Sequence, residues 1–241
     1  MEKIVVFNSE KILFVKDISK DFHCEYGIIK KEDLKHAHSS KTNTGKPFWV
    51  MDADFSDKYR RIKRGPQIIP LKDVGSIITE GALGKNSVVI DAGSGSGSLA
   101  CILATIAKQV YSYEIREDFH KIASENADRL GLKNLTVKHK DASTGFDEQD
   151  VDCVVLDLGN PWELVQSAYD SLRVGGHLIS YSPTIPQVSD FVAEVKKNEK
   201  LLYLRTIEMV ERDWEVSDRK VRPKSQQIGH SGFLSVVRKI N

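Results

Sequence analysis

The stretch SVVIDAGSGSG (residues 87–97), followed by SLACILA (residues 98–104), decides the fold of this chain. A short apolar run ends in an acid, Asp91, and three glycines then stand at alternate positions before an apolar segment. This order predicts a β-strand, a tight glycine turn and an α-helix, which is where an open α/β sheet receives a nucleotide-like ligand. The alternative is a glycine loop that only turns the chain.

The spacing of these glycines indicates which ligand is bound. A dinucleotide fingerprint reads G-x-G-x-x-G, so that a pyrophosphate can lie on the helix N-terminus. Here Gly97 arrives one residue early, Ser98 takes the expected glycine position, and no lysine follows in P-loop register. Asp91 would repel a pyrophosphate but can accept from the ammonium group of an amino acid. An adenosine-bearing zwitterion without phosphate fits these facts, so we expect S-adenosylmethionine, with S-adenosylhomocysteine as the product.

Acidic residues also end the next two predicted strands. The strand at 110–115 contains Glu114, roughly twenty residues beyond the first glycine, where a carboxylate accepts from both ribose hydroxyls. The strand at 135–140 is followed by Asp141, which can accept from the adenine amine, and by Ala142, which leaves room for the ring. The alternative for each acid is a solvated residue at a strand end.

Acids at three successive strand ends resemble the Rossmann-like methyltransferase superfamily over about residues 72–241. The resemblance implies a sheet of seven strands. Continuous apolar runs at 152–157 and 177–182 fit strands buried on both faces. The runs at 201–207 and 232–237 have no helix between them, which predicts an antiparallel pair at the sheet edge. Apolar periodicity predicts helices around residues 74–78, 119–130 and 187–196, the second ending at Gly131.

The chain is predicted to have three parts. Residues 1–55 alternate β-rich runs with polar turns and predict a small β-domain. Residues 56–71 form a basic connector, which is either a solvated face or a patch that contacts phosphates. Residues 72–241 form the S-adenosylmethionine-binding catalytic domain. The predicted fold class is therefore α/β: a seven-stranded Rossmann-like methyltransferase sheet with helices on both faces, preceded by the N-terminal β-domain.

Composition is that of an ordinary soluble globular protein. Lys and Arg total 35 against 34 acids, so a site for a polyanion must be a local patch. Three cysteines without C-x-x-C spacing argue for a reducing compartment. His36 and His38 have no third ligand nearby, so no metal is expected. Without a signal peptide or an apolar run that could span a membrane, the expected location is cytoplasmic.

The stretch LDLGNPW (residues 156–162) bears on the methyl acceptor, because it follows the fourth predicted strand beside the ligand crevice. Adenine-N6 methyltransferases carry a (Asp/Asn)-Pro-Pro-aromatic signature at this place, and this chain has no second proline. Asp157-Leu158 with Pro161-Trp162 instead resembles the D-L-P-x-P-W motif of the tRNA adenine-58 N1-methyltransferase family.

Three further segments carry the same resemblance, which covers nearly the whole chain. Residues 63–73 are similar to that family's R-G-x-Q-x-x-Y-P-K-D, residues 181–187 to its Y-x-P-T-x-x-Q, and residues 222–234 to its R-P-x(n)-G-H-T-G-F-L. Two departures stand out: Pro70-Leu71 replaces Tyr-Pro, and Gly159 replaces a proline. Both bear on how the acceptor fits more than on cofactor binding.

The resemblance implies methyl transfer to N1 of an adenosine in the T-loop of tRNA, at position 58 alone or also at a neighbour, by a homotetramer. Asp157 is the expected catalytic residue. Adenine N1 has a lone pair and no proton, so a carboxylate at the Watson–Crick edge can accept from the N6 amine, orient N1 and stabilise the positive charge. It can later take an N6 proton as a general base. The alternative is an Asp that caps the following helix.

The predicted site falls into two groups of residues. Expected at the cofactor are Gln67, Asp91, Gly93, Ser94, Gly95, Ser96, Gly97, Ser98, Leu99, Glu114, Ile115, Asp141, Ala142 and Asp157. Expected at the tRNA or its target base are Arg60, Arg61, Lys63, Arg64, Pro161, Trp162, Tyr181, Arg222 and His230. Two other functions stay open: a small-molecule methyltransferase of the precorrin type, and a non-catalytic methyltransferase-fold subunit that binds tRNA.

Overall fold

The computed structural model of this chain describes residues 2–8, 11–65, 67–226 and 228–241. Pro66 of the predicted connector motif, and positions 1, 9 and 10 of the predicted β-domain, lie outside these ranges. The chain divides into two compact units, Met1–Ile62 and Lys63–Asn241. The division falls inside the predicted connector. Within the described ranges, no helix has the length and apolar character needed to cross a membrane.

The N-terminal unit is built on a small antiparallel sheet, as the sequence predicts. Phe48 and Val50 are buried while Trp49 and Met51, which alternate with them, are exposed, because successive side chains of a strand point to opposite faces. The elements of this unit are β1 (Lys3–Asn8), β2 (Lys11–Val15), β3 (Phe22–Cys24), β4 (Gly27–Ile29), α1 (Lys31–His36), β5 (Ser39–Lys41), β6 (Pro47–Asp52) and α2 (Phe55–Tyr59). The sheet has the strand order β2-β1-β6-β5, and β3 pairs separately with β4. The two short helices were not predicted.

The second unit contains a seven-stranded sheet and five α-helices among its described residues, which confirms the predicted fold class. Its helices are α3 (Leu71–Glu80), α4 (Ser98–Ala104), α5 (Glu117–Leu130), α6 (Val165–Ser171) and α7 (Ile185–Val195). Its strands are β7 (Val88–Ala92), β8 (Gln109–Glu114), β9 (Leu135–His139), β10 (Val151–Leu156), β11 (Leu172–Ser182), β12 (Leu201–Glu208), β13 (Trp214–Ser217), β14 (Lys220–Pro223) and β15 (Phe233–Lys239).

The sheet has the order β12-β15-β11-β10-β7-β8-β9. The five strands from β11 to β9 are parallel, while β15 is antiparallel to both of its neighbours, β11 and β12. The predicted antiparallel edge pair is therefore confirmed. The chain runs from β7 outward to β9 and then returns to β10, so the strand order reverses between β7 and β10. Ligands of open α/β sheets bind at such a switch point.

Three features of this unit differ from the sequence prediction. Strands β13 and β14 form a separate hairpin between β12 and β15, where no strands were predicted. Strand β11 begins five residues before the predicted start at His177, and its pairing with β10 is irregular around Gly175, which has a positive φ of 82°. Helix α6 was also not predicted. By contrast, α5 ends at Gly131 in the left-handed conformation, as the sequence predicts.

Candidate active site

The carboxyl ends of the parallel strands border a cavity of about 600 Å³, a size typical of small-ligand sites. Of the residues predicted to hold a cofactor, those that line it are Gln67, Gly93, Gly95, Ser96, Glu114, Ile115, Asp141, Ala142 and Asp157. Those that do not line it are Asp91, Ser94, Gly97, Ser98 and Leu99. The lining also includes residues that were not predicted: Gly65, Tyr113, Arg116, Phe119, Lys140, Ser143, Leu158, Gly159, Asn160, Glu163 and Leu164.

The glycine turn between β7 and α4 is shaped by close approaches of the backbone. Gly93 has a φ of +96°, and a Cβ there would lie 2.0 Å from the carbonyl oxygen of Asp157. Only glycine therefore allows the two strand ends to come this close. The amides of Gly93 and Ser94 both donate to the carbonyl of Tyr113, each at 3.0 Å, which fixes the turn against the end of β8.

Glu114 ties the second strand end to the same turn. Its Oε2 accepts from the Gly95 amide at 2.8 Å, and its Oε1 accepts from the Arg116 amide at 2.9 Å. The residue is buried but borders the cavity. Each carboxylate oxygen has a second lone pair, so Glu114 can still accept from two further donors, as the prediction for ribose hydroxyls requires.

Asp91 lies within β7 and is buried behind the glycine turn. Its Oδ2 accepts from Ser112 Oγ at 2.6 Å, and Ser112 Oγ shares a hydrogen bond of 2.5 Å with Ser94 Oγ. Burial raises the pKa of Asp91 to about 6. Asp91 Oδ1 and Ser96 Oγ are buried and have no hydrogen-bond partner among the described residues. Buried polar atoms normally have partners, so these two fit the ammonium and carboxylate of an amino-acid ligand such as S-adenosylmethionine.

Asp141 caps the turn that follows β9. Its Oδ1 accepts from the Ser143 amide at 2.8 Å, and this hydrogen bonding lowers the pKa of Asp141, so the group is a carboxylate at neutral pH. Asp141, Ala142 and Ser143 all border the cavity. The third predicted strand-end acid thus lies on the same cavity as Glu114.

Asp157 follows β10 and lies beside the glycine turn. Its amide donates to the carbonyl of Ala92 at 2.9 Å. Its carboxylate is partly buried, borders the cavity and makes no hydrogen bond or ion pair in the part of the chain that the structure describes. Burial raises the pKa of Asp157 to about 7, and the negative charge of Asp91 raises it further in the same direction. Asp157 caps no helix, since the next helical turn begins at Pro161 and Asn160 is at its N-cap, so that alternative is wrong.

The sequence profile described as "tRNA methyltransferase complex GCD14 subunit" matches residues 61–238. The chain belongs to this family. The family predicted from the motifs is confirmed.

Curated relatives are similar to this chain over most of its length, and solved structures share its fold. The chain is 30% identical to the tRNA (adenine(57)-N(1)/adenine(58)-N(1))-methyltransferase TrmI of Methanocaldococcus jannaschii, over 98% of this chain and 94% of that protein. It is 29% identical to the tRNA (adenine(58)-N(1))-methyltransferase TrmI of Thermus thermophilus, over 90% and 88% of the two chains. A S-adenosylmethionine-dependent O-methyltransferase from Thermotoga maritima superposes with a TM-score of 0.87 at 26% identity, covering 100% of this chain and 93% of that one. TrmI from Aquifex aeolicus has the same fold, with a TM-score of 0.82 at 22% identity over 100% and 97% of the two chains.

A buried polar cluster joins three of the motif segments of the GCD14 family. Lys72 Nζ contacts Asp73 Oδ1 at 2.7 Å and Ser231 Oγ at 2.6 Å, while Tyr181 Oη and Ser231 Oγ both donate to Asp73 Oδ2, at 3.1 and 2.8 Å. Gly232 leaves room for the Tyr181 ring, since a Cβ there would lie 2.4 Å from Tyr181 Cζ. Burial and Asp73 raise the pKa of Tyr181, and Asp157 contributes in the same direction. Tyr181 does not line the cavity, and its hydroxyl lies among the polar side chains of this cluster.

Sequence reasoning missed the roles of Lys72, Asp73 and Ser231, although all three stand inside the quoted motifs. It also missed the wall made by Gly65 and Phe119, where a Cβ on Gly65 would lie 2.7 Å from Phe119 Cε1. The signal for Gly65 was its place in the R-G-x-Q motif; Phe119 has no such signal, because it is an apolar residue of a periodic helix.

The residues predicted to contact tRNA are not gathered at the cavity. Arg60 and Arg61 belong to the N-terminal unit, and Arg60 is exposed. Lys63 and Arg64 are exposed in the second unit, where the Lys63 ammonium pairs with Glu125. Pro161 and Trp162 begin the turn after Asp157, buried and partly buried respectively, and neither lines the cavity.

Arg222 and His230 each have a partner outside the cavity. Arg222 Nε donates to Glu215 Oε2 at 3.2 Å across the β13–β14 hairpin. His230 lies between Glu208 Oε1 at 2.5 Å and the Pro183 carbonyl at 2.8 Å, and its pKa is raised by the bond to Glu208. A protonated imidazole donates from both ring nitrogens, which suits these two acceptors.

Proposed function

We propose that this protein transfers a methyl group from S-adenosylmethionine to N1 of the adenosine at position 58 in the T-loop of tRNA. The observation that carries the proposal is Asp157, a partly buried carboxylate at the switch-point cavity with no partner among the described residues. A group kept partnerless at such a place is suited to a ligand rather than to the fold. The similarity to relatives named as tRNA adenine-N1 methyltransferases, at nearly full length, supports the choice of acceptor.

Four acids would each contact a different part of the cofactor or the acceptor base at this site. Asp91 and Ser96 would hold the amino-acid end of the cofactor, Glu114 its ribose and Asp141 its adenine. When bound, S-adenosylmethionine supplies an electrophilic methyl group on a positively charged sulfur. Its charge favours the ionised forms of Asp91 and Asp157, since an opposite charge nearby lowers the pKa of a carboxyl. The two raised pKa values indicate that this end of the cavity is suited to a cation.

Asp157 would then act on the acceptor base. Its carboxylate accepts from the N6 amine and so directs N1, which needs no base because it carries no proton. As the N1–carbon bond forms and the carbon–sulfur bond breaks, the sulfur keeps the electron pair and the adenine becomes a cation, which Asp157 stabilises. The carboxylate can afterwards take one N6 proton, which returns the product base to neutrality.

Exposed basic residues would bind the tRNA. Position 58 must leave its stack to reach the cavity, as for other enzymes that modify bases. Arg60, Arg61, Lys63 and Arg64 would hold phosphates during this step, and Lys63 would exchange Glu125 for a phosphate. Remaining residues proposed at the tRNA are Pro161, Trp162, Tyr181, Arg222 and His230.

The deciding experiment measures transfer of labelled methyl from S-adenosylmethionine to tRNA transcripts that carry A or another base at position 58. We expect incorporation only with A58, and m1A at that position on nuclease mapping. A transcript with A57 changed shows whether the neighbour is also modified. Equal incorporation into all transcripts, or none into any, contradicts the proposal.

We also propose that the active form is a cytoplasmic homotetramer that requires no metal. Exposed apolar residues on the β13–β14 hairpin support self-association: Trp214, Val216 and Val221 are 54%, 74% and 57% exposed. Transfer from a sulfonium releases a neutral thioether, so no metal is needed to stabilise a leaving group. Light scattering should give four times the mass of the chain, and Val216→Asp should reduce it. Activity should survive dialysis against EDTA.

A further inference from the structure

The loop that carries Asp157 is fixed by hydrogen bonds on both sides of that residue. The Asp157 amide donates to the Ala92 carbonyl at 2.9 Å, and the Gly159 carbonyl accepts from Gln187 Nε2 at 2.9 Å. The Asp157 carboxylate has no hydrogen-bond partner of its own among the residues described. Its direction therefore depends on the backbone that these two bonds hold.

Gln187 is itself held in a defined orientation. Thr184, the residue that precedes α7, donates from Oγ1 to Gln187 Oε1 at 2.7 Å. An amide that accepts at its oxygen presents its NH2 group on the opposite side, where Gly159 lies. The start of α7 thus provides a rigid base for a contact with the catalytic loop.

Because residue 159 is a glycine, the hydrogen bond from Gln187 matters more for the conformation of the loop. Glycine has the widest backbone freedom, and no atom of a described residue lies within 4 Å of the position that a Cβ on Gly159 would take. The Gly159 amide also makes no backbone hydrogen bond with any described residue. At Gly159 the loop is therefore restrained by the hydrogen bond from Gln187 and not by a side chain of its own, while the neighbouring Leu158 packs against the core.

We infer that Gln187 is a positioning residue, which orients Asp157 through the Gly159 carbonyl. The inference rests on the proposed function only in taking Asp157 as the group that acts on the acceptor. Loss of the bond leaves the cavity walls at Gly93, Glu114 and Asp141 unchanged. It releases only the carboxylate that faces the acceptor.

The sharpest variant is Gln187→Glu, which keeps the shape and the acceptor for Thr184 but has no proton to donate at neutral pH. One hydrogen bond is worth about 1.4 kcal/mol, so we expect kcat to fall about tenfold. The Kd for S-adenosylmethionine should stay within about twofold, because no cofactor contact changes. Gln166→Ala, which removes an exposed glutamine of α6, is the matched control and should leave kcat unchanged.

A double-mutant cycle separates positioning from a general effect on the fold. If Gln187 acts through Asp157, Gln187→Glu should lower the rate little further in an Asp157→Ala background. Gly159→Ala stiffens the loop without a clash and should restore part of the rate lost in Gln187→Ala. Full additivity with Asp157→Ala, or an unchanged kcat in Gln187→Glu, overturns the inference.

A readout without turnover keeps this test independent of the acceptor. Carboxyl 13C NMR of the ligand-free protein should show the raised pKa of Asp157 falling toward about 3.9 in Gln187→Ala, because the released side chain reaches water. An unchanged pKa of Asp157 in that variant contradicts the inference. If the wild-type protein methylates no tRNA, the proposed function fails, whereas the NMR result still decides the role of Gln187.

Discussion

The negative charge of Asp91 raises the pKa of Asp157 across the switch point of the sheet. Asp91 pairs with Val155 in the register of β7 and β10, and Asp157 follows two residues later at the cavity. Burial acts on both carboxyls, whose pKa values are raised to about 6 and about 7. The two carboxylates repel each other when both are ionised, so a positively charged ligand nearby favours their ionised forms.

Replacing Asp157 should separate turnover from cofactor binding. Asp157→Ala removes the acceptor for the N6 amine, and we expect kcat to fall by about 100-fold or more, the usual size of such an electrostatic contribution. The Kd for S-adenosylmethionine, measured by calorimetry, should rise by less than about threefold. Asp157→Asn, which keeps the size but not the charge, should resemble the alanine variant. A cofactor affinity that falls as much as kcat assigns Asp157 to the cofactor instead.

The pH dependence of the rate should report the same carboxyl. Below pH about 7 the Asp157 carboxyl of the free protein is largely protonated and cannot act as a negative acceptor. The value of kcat/KM should therefore rise with pH up to about 7 and then level off, since kcat/KM reports groups of the free enzyme. In the pH profile of kcat the same rise should occur at lower pH, because the bound cation lowers the pKa of Asp157. Asp157→Asn should lack this rise in its residual activity.

How much of this site the sequence predicts depends on how local each signal is. The glycine turn and the acids at 114, 141 and 157 follow from short stretches, because a strand end and a glycine turn are each encoded within a few residues. The position of Asp91 differs from the predicted strand end. Strand β7 runs one residue past Asp91, to Ala92, so the carboxylate lies behind the turn and not on the cavity wall.

The parts that were not predicted depend on contacts between distant residues. Tyr181 and Ser231 reach Asp73 across 108 and 158 positions, and no periodicity in the sequence signals such a contact. The β13–β14 hairpin was missed for another reason. Its strands have four residues each and are almost wholly exposed, so they lack the alternation of buried and exposed side chains that marks a strand.

Gly93 should tolerate no side chain, in contrast to Gly95 two residues later. In Gly93→Ala the new Cβ meets the Asp157 carbonyl at 2.0 Å, so one strand end must move. We expect a loss of about 2–4 kcal/mol in the free energy of unfolding and weak binding of S-adenosylmethionine. Gly95 has a positive φ of 50°, but a Cβ there would have no atom of the described residues within 4 Å, so Gly95→Ala should cost about 1 kcal/mol. Urea unfolding of both variants checks this, and equal losses would contradict the steric account.

Replacing only one partner of the Lys72–Asp73 ion pair should destabilise the protein strongly. Both side chains are largely buried, at 13% and 4% exposed, and Asp73 keeps two hydroxyl donors, Tyr181 and Ser231. Lys72→Met leaves the Asp73 charge without its cation, and we expect a loss of about 3–5 kcal/mol in the free energy of unfolding. Tyr181→Phe removes one donor while the ion pair remains, and should cost about 1 kcal/mol. Thermal and urea unfolding compare the two; a Lys72→Met variant as stable as Tyr181→Phe would mean that the hydroxyls, not the ammonium, hold the Asp73 charge.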